Sequence, residues 1–208
     1  MYISSVRPGA IILLGLSFFT CLGQSDQDAI KAINDHRNKQ QEEMRNPKES
    51  PLPKKDCRRF KGLNFYPIDL GYCVKARFVK TENPVLFKIK TTTVRLPEYS
   101  KYGEVHFELN GEPYKLEVYH NSDIASRPGY EDYLFIPFTD QSNGKESYEG
   151  GRYLDLRKPS SHEVIVDFNL SYNPYCAYSQ NYSCPIPPEV NYLPLAIKAG
   201  EMKFEDGH

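Results

Sequence analysis

The sequence predicts a mainly β fold, an antiparallel barrel or sandwich of about eight to nine strands with a polar N-terminal helix. Three observations lead there. Val74, Ala76 and Phe78 alternate with Lys75 and Arg77, and Val85, Phe87 and Ile89 are followed by the same polar spacing at Lys88 and Lys90. Period-two alternation marks a half-buried strand. Asn110-Gly111 is the preferred pair for a tight hairpin turn, because both central residues need positive φ. The chain also carries 16 Pro and 13 Gly, the turn content that an all-β fold needs.

The hairpin is the best-specified element. Folding at Asn110-Gly111 sets Leu109 opposite Glu112, Phe107 opposite Tyr114 and Val105 opposite Leu116. One face then holds Val105, Phe107, Leu109, Tyr114, Leu116 and Val118, and a one-residue slip would destroy that face. The same register puts Glu104 opposite Glu117, which requires a cation between them, from Lys115, an external Arg or a ligand. Residues 133–138, 152–156, 162–169 and 193–197 supply further strands. Residues 152–156 and 164–168 are expected to pair as a hairpin across 158–161.

The first residues read as a targeting segment. Arg7 precedes an apolar run over residues 8–19, and small residues follow at Cys21 and Gly23. That is the layout of a secretory signal peptide, expected over residues 1–23, with cleavage after Gly23 or lipidation at Cys21. The expected location is therefore periplasmic or elsewhere in the cell envelope, with membrane attachment only through a lipid at Cys21. Residues 24–47 follow as a polar helix or spacer. Ser25 and Asp28 resemble a capping box, Pro47 stops the helix, and the apolar stripe is thin at Ile30, Ile33 and Met44. Residues 48–57 read as a Pro- and Lys-rich linker, 58–204 as the β domain and 205–208 as a tail.

Charge and cysteines narrow the function classes. Lys and Arg total 26 against 27 Asp and Glu, so no nucleic-acid surface is expected. No phosphate loop, metal-ligand spacing or nucleophile–base pair is legible, and the five His residues are scattered, so no metal or cofactor is expected. Beyond the leader stand Cys57, Cys73, Cys176 and Cys184. An even count in an exported chain reads as disulfides, most simply Cys57–Cys73 and Cys176–Cys184.

Candidate site residues lie in the second half. Arg152 falls on the apolar face of its strand, where it needs a partner: an internal acid, or a ligand carboxylate or phosphate. Asp155 and Asp167 fall on the other face as solvated carboxylates or an acid/base pair. Asn173, Tyr178 and Glu189 are presented by a Pro-stiffened loop over residues 173–189, which a Cys176–Cys184 bridge would pin.

The segments Gly150-Gly151-Arg152-Tyr153-Leu154-Asp155-Leu156, Asn173-Pro174-Tyr175-Cys176-Ala177-Tyr178, Cys184-Pro185-Ile186-Pro187-Pro188-Glu189 and Ala199-Gly200-Glu201 resemble a known signature. It is that of the uncharacterised bacterial and archaeal family called domain of unknown function sixteen eighty-four. The likeness spans about Phe60 to Glu201 and departs from the pattern at Glu189-Val190-Asn191, where one residue separates the usual Glu-Asn pair. The family has no established activity, so the resemblance implies membership and no chemistry.

The functional expectation is an exported binding module that holds a small anionic ligand with Arg152, Asn173, Tyr178, Glu189 and Asp167. The alternatives are a hydrolase with Glu189 or Asp167 as base and Arg152 stabilising charge, or a structural envelope protein whose polar signature is internal bracing. The oligomeric state is left open.

Overall fold

The computed structural model describes residues 20–204, with side chains from Ser25 onward. The apolar run of the expected leader lies outside the described residues. Helix α1 spans Thr20–Arg45 and the short α2 spans Lys54–Cys57. The strands are β1 Cys73–Lys80, β2 Leu86–Lys88, β3 Glu98–Leu109 and β4 Glu112–His120, then, after the short α3 Ser122–Ala125, β5 Tyr133–Asp140, β6 Arg152–Arg157, β7 Glu163–Asp167 and β8 Tyr192–Leu193. They form one eight-stranded sheet in the order β6-β5-β4-β3-β1-β7, with β2 added to β3 and β8 to β5. All pairs are antiparallel except β5–β8. The sheet curls into a half-barrel, the mainly β architecture that the alternation predicts.

The curl encloses the main core. Ala76 and Phe78 of β1, Val105 and Phe107 of β3, Leu116 and Val118 of β4, Leu134, Ile136 and Phe138 of β5, Leu154 of β6 and Val166 of β7 all point inward. Phe168 closes the trough, its ring 5.6 Å from Phe107 and 5.5 Å from Phe138. The convex face carries a smaller aromatic cluster of Ile89, Tyr99, Tyr119, Phe135 and Tyr153, flanked by Tyr133 and Tyr172.

The β3–β4 hairpin has the register expected, Leu109 to Glu112 through Val105 to Leu116, with Asn110 and Gly111 at φ 55 and 81. The Glu104–Glu117 pair is resolved by a bulge. Lys101 opposes Tyr119 and Gly103 opposes Val118, so Tyr102 is the extra residue. Without it Lys101 and Glu104, three apart, would point to opposite faces; with it they share one. Lys101 Nζ lies 2.8 Å from Glu104 and 2.7 Å from Glu117, and Lys115 adds a contact of 3.1 Å to Glu104. These cations hold the Glu104 carboxyl down at about 2, with the Lys101 hydrogen bond the largest cause.

Three expectations need correction. Residues 152–156 and 164–168 do not form a hairpin: β6 pairs with β5, Phe138 opposite Arg152, while β7 pairs with β1, Ala76 opposite Val164. Alternation fixes which face a strand buries and leaves its partner undetermined, and both strands still feed the same core. Helix α1 begins before Ser25, which therefore lies inside it and not at its cap. Finally, α1 is no detached spacer. Ile33 and Met44 are buried, Arg37 donates to the carbonyls of Tyr66 (3.0 Å) and Asn169 (3.5 Å), and Gln41 both donates to and accepts from the Leu63 backbone (3.0 and 2.9 Å). A thin apolar stripe suffices because polar side chains on the same face meet backbone groups. Leu52 and Cys57 of the expected linker pack under Met44 with Leu63.

Candidate functional site

Arg152 opens β6 directly after Gly151, whose φ is 88 and whose Cβ, if present, would lie 2.6 Å from the Phe138 carbonyl oxygen. Only glycine permits that approach. The guanidinium then enters the trough and is wholly buried. Its Nη2 donates to Asp140 Oδ2 and to the Ile197 carbonyl, both at 2.8 Å, and its Nη1 to the Ala199 carbonyl at 2.5 Å. The rings of Phe138 and Tyr66 lie beside it, 5.5 and 5.8 Å from Cζ to centroid. Asp140 is equally occupied, its Oδ1 accepting from the backbone of Ser142 (2.7 Å) and Ile197 (3.2 Å). The internal acid is thus the partner that Arg152 has, and the pair locks the C-terminal segment across the sheet.

A second buried cluster adjoins it. Glu201 is 1% exposed. Its Oε2 accepts from the Asn173 N–H at 3.0 Å, and Oε1 accepts from Asn173 Nδ2 at 2.9 Å and from the Tyr178 hydroxyl. Burial pushes the Glu201 carboxyl up to about 7, against the pull of these donors and of Arg152. Gly200 is required before it: at φ 78, an added Cβ would lie 2.0 Å from Ser171 Oγ.

The expected site residues are therefore not gathered around one opening. Asn173 and Tyr178 meet at Glu201, and Arg152 touches that cluster through the Glu201 carbonyl at 3.3 Å. Asp167 stands apart at the end of β7, where its Oδ1 accepts from the Asn169 backbone (2.9 Å) and side chain (2.8 Å). Glu189 is exposed at the start of a 3-10 turn. Asn191, two residues on, is buried and ties β4 to β5 by bonds with both backbone groups of Glu117 and the Pro137 carbonyl. Asp155 and Asp167 form no carboxylate pair, because their strands lie at opposite ends of the sheet order.

Asp155 has a different setting. It projects from the convex face of β6, where Tyr133 of β5 donates to its Oδ1 at 2.8 Å and Tyr172 donates to the same oxygen at 2.6 Å. Oδ2 has no hydrogen-bond partner among the described residues, and Arg157 turns instead to Asp132 at 2.6 Å. The side chain is open to solvent on one side and crowded on the others. Crowding raises its pKa, the two hydroxyls oppose the rise, and His36 of α1 lies within electrostatic range. The rings of Tyr153 and Tyr172 meet edge-on at 5.8 Å, and those of Tyr130 and Tyr133 at 5.7 Å, so the carboxylate sits in an aromatic surround. Two hydroxyls from distant segments meeting on one acid is invisible to a reading of strand faces, which shows only an outward Asp.

All four cysteines are free thiols in this structure, so neither expected bridge is formed in it. Cys57 is buried under α1 and donates to the Leu52 carbonyl at 3.6 Å, whereas Cys73 opens β1 opposite Asp167. Those two belong to different layers. Cys176 and Cys184 do meet, with the Cys176 N–H donating to Cys184 Sγ at 3.1 Å, but remain unbonded. Among the described residues no three His, Cys, Asp or Glu side chains are grouped to hold a metal, and no helix is long and apolar enough to cross a membrane.

The segments that carry these contacts are those of the signature. A family model described as "Protein of unknown function (DUF1684)" matches residues 58–202. The chain belongs to this family. The DUF1684 region begins with the residue after Cys57 and ends beside Glu201, so it contains the sheet, the Arg152–Asp140 pair and both thiols that meet. Among solved structures, the chain resembles the solution NMR structure of the uncharacterized protein from gene locus rrnAC0354 of Haloarcula marismortui. The two are 33% identical, with a TM-score of 0.67, over 86% of this chain and 96% of that one. A search of the curated proteins finds no match.

Proposed function

We propose that this DUF1684 protein is an exported cell-envelope module that binds a small cationic ligand, an amine or quaternary ammonium, at Asp155. Export is supported by Arg7 and the apolar run at residues 8–19. The observation that carries the ligand reading is the exposed Asp155 carboxylate, with Oδ1 fixed by Tyr133 and Tyr172 and Oδ2 left over. A fixed anion among tyrosine rings attracts a cation by charge and by the ring faces together. Anion capture by Arg152 is not favoured, since its charge is already met by Asp140 out of reach of solvent. The same enclosure weighs against a hydrolase that would use Arg152 on a transition state.

A thermal-shift screen tests this reading. Tetramethylammonium and diamines are expected to stabilise the wild type and not Asp155→Asn, without turnover. Equal stabilisation of both proteins would overturn it. A second reading keeps an anionic ligand, in a surface cavity of about 640 Å³ lined by Arg77, Lys80 and His162 with only Glu82 opposed. Phosphate stabilisation lost in a Lys80→Ala variant and kept in Asp155→Asn would select that cavity. Fractionation of cells expressing the chain with and without residues 1–23 tests export.

A further inference from the structure

We infer that Cys176 and Cys184 form a redox-active dithiol, with Cys176 as the attacking thiolate and Cys184 as the resolving thiol, and that its substrate class is the disulfide. The inference is independent of the ligand reading at Asp155.

Three separate segments build the arrangement. Cys176 sits in the 3-10 turn Tyr175–Ala177, started by Pro174. Cys184 is brought back to it from eight residues on, close enough for the Cys184 sulfur to accept the Cys176 N–H at 3.1 Å. Tyr148, from the loop after β5, brings its hydroxyl to 3.6 Å from Cys176 Sγ. The Tyr148 hydroxyl is thus a donor within reach of a Cys176 thiolate. The two thiols are also unequal in access. Cys176 is half-buried, while Cys184 is buried at 6% exposure.

The anchoring is unequal as well. The Cys184 backbone is held on both sides by Thr92, its N–H donating to Thr92 Oγ1 at 3.1 Å and its carbonyl accepting from the Thr92 N–H at 2.9 Å. Tyr153 fixes the next residue through the Pro185 carbonyl. Cys176 rides on a single 3-10 turn, so it is the partner that can move. Its thiol is held down at about 6, first by the Cys184 hydrogen bond and then by Tyr148, against the opposing effect of burial. Cys73 is the contrast: burial and Asp167 push it up to about 11.

The exchange balances without a metal or cofactor. The Cys176 thiolate attacks one sulfur of a disulfide RSSR, forming a Cys176–SR mixed disulfide and releasing RS⁻. Cys184 gives up its proton and its sulfur attacks Cys176, forming the Cys176–Cys184 bond and releasing the second RS⁻. One released thiolate takes the Cys184 proton. Two electrons pass from the dithiol to the substrate, which leaves as one thiol and one thiolate.

The test uses the full chain in glutathione buffers of graded ratio, with acid trapping, alkylation and mass mapping. A Cys176–Cys184 bond is expected to form and to reverse with the ratio, while Cys57 and Cys73 stay reduced. In Cys184→Ser the glutathione adduct should accumulate on Cys176, and in Cys176→Ser no rapid adduct should form. The pH profile of iodoacetamide reaction is the second readout. Its midpoint at Cys176 should lie near 6 and rise in Tyr148→Phe, which leaves both cysteines in place. Rate at pH 7 is a poor readout, because the lower nucleophilicity of an acidic thiolate cancels most of its abundance and leaves only about a two-fold gain. A bond that no glutathione ratio opens, a midpoint in the ordinary thiol range, or first reaction at Cys57 or Cys73 would each overturn the inference.

Discussion

Arg152 and Asp140 occupy the core as a fully enclosed ion pair, each with further hydrogen bonds to the backbone. Removing one partner leaves the other charge buried without its counter-ion, which costs about 3–5 kcal/mol. Arg152→Ala should therefore lower the unfolding free energy from urea titration by that order, and a nearly unchanged value would contradict the enclosure described. Glu201 supplies a pH signature. Its folded pKa is raised, from 4.5 to about 7, so the folded state binds this proton more tightly than the unfolded state. The contribution is full below the unfolded value and is lost as pH rises through about 7, up to about 3 kcal/mol in all. Urea midpoints should fall between about pH 5 and pH 8 in the wild type, and Glu201→Gln should flatten that part of the profile. Sequence reading placed Arg152 on the core face and Glu201 at the end of the signature. It could not join Arg152 to Asp140, because the loop between them has no periodicity to fix its path.

The β3–β4 hairpin separates backbone strain from crowding. A Cβ at Gly111 would meet nothing within 4 Å, but φ is 81; at Gly103 it would lie 2.5 Å from Phe78 Cζ and 2.6 Å from the Val79 carbonyl. Gly111→Ala should cost about 1–2 kcal/mol, the penalty of a left-handed conformation. Gly103→Ala should cost more, because a core ring and a neighbouring strand must move. Equilibrium unfolding of both variants checks the order. The bulge at Tyr102 leads to a further expectation. In Lys101→Met, Glu104 and Glu117 lose their main shared cation, and stability should drop by about 1 kcal/mol. The Glu104 carboxyl should also titrate well above its present value of about 2 by NMR. Its lowered pKa contributes stability above the ordinary carboxylate range and loses it as pH falls through about 2, so the variant should lose part of this acid-sensitive stability. The register of this hairpin was legible because its turn is local. The bulge was not, since Tyr102 differs from its neighbours only in how the partner strand meets it.

At the scale of the whole molecule, α1 binds the domain by a mixed face. Gln41 satisfies both the N–H and the carbonyl of Leu63, so Gln41→Ala leaves two backbone groups without their protein partner. The expected loss is about 1–3 kcal/mol, with faster amide exchange at Leu63 than in the sheet. Unchanged exchange there would mean that the helix is not held by this contact.

The sequence by itself determined the class of fold, the buried faces of β1, β3, β4, β6 and β7, one hairpin register and the family, whereas the expected face of Val85 and Phe87 is exposed. All of these follow from periodicity, turn chemistry or motif, which are properties of neighbouring residues. Tertiary structure alone decided that β6 joins β5, that Arg152 is sealed by Asp140, and that Asp155 is gripped by Tyr133 and Tyr172. Each of those contacts depends on how the sheet curls and how the 172–201 segment crosses it. Curl and crossing arise from packing the entire core, and no local pattern records them.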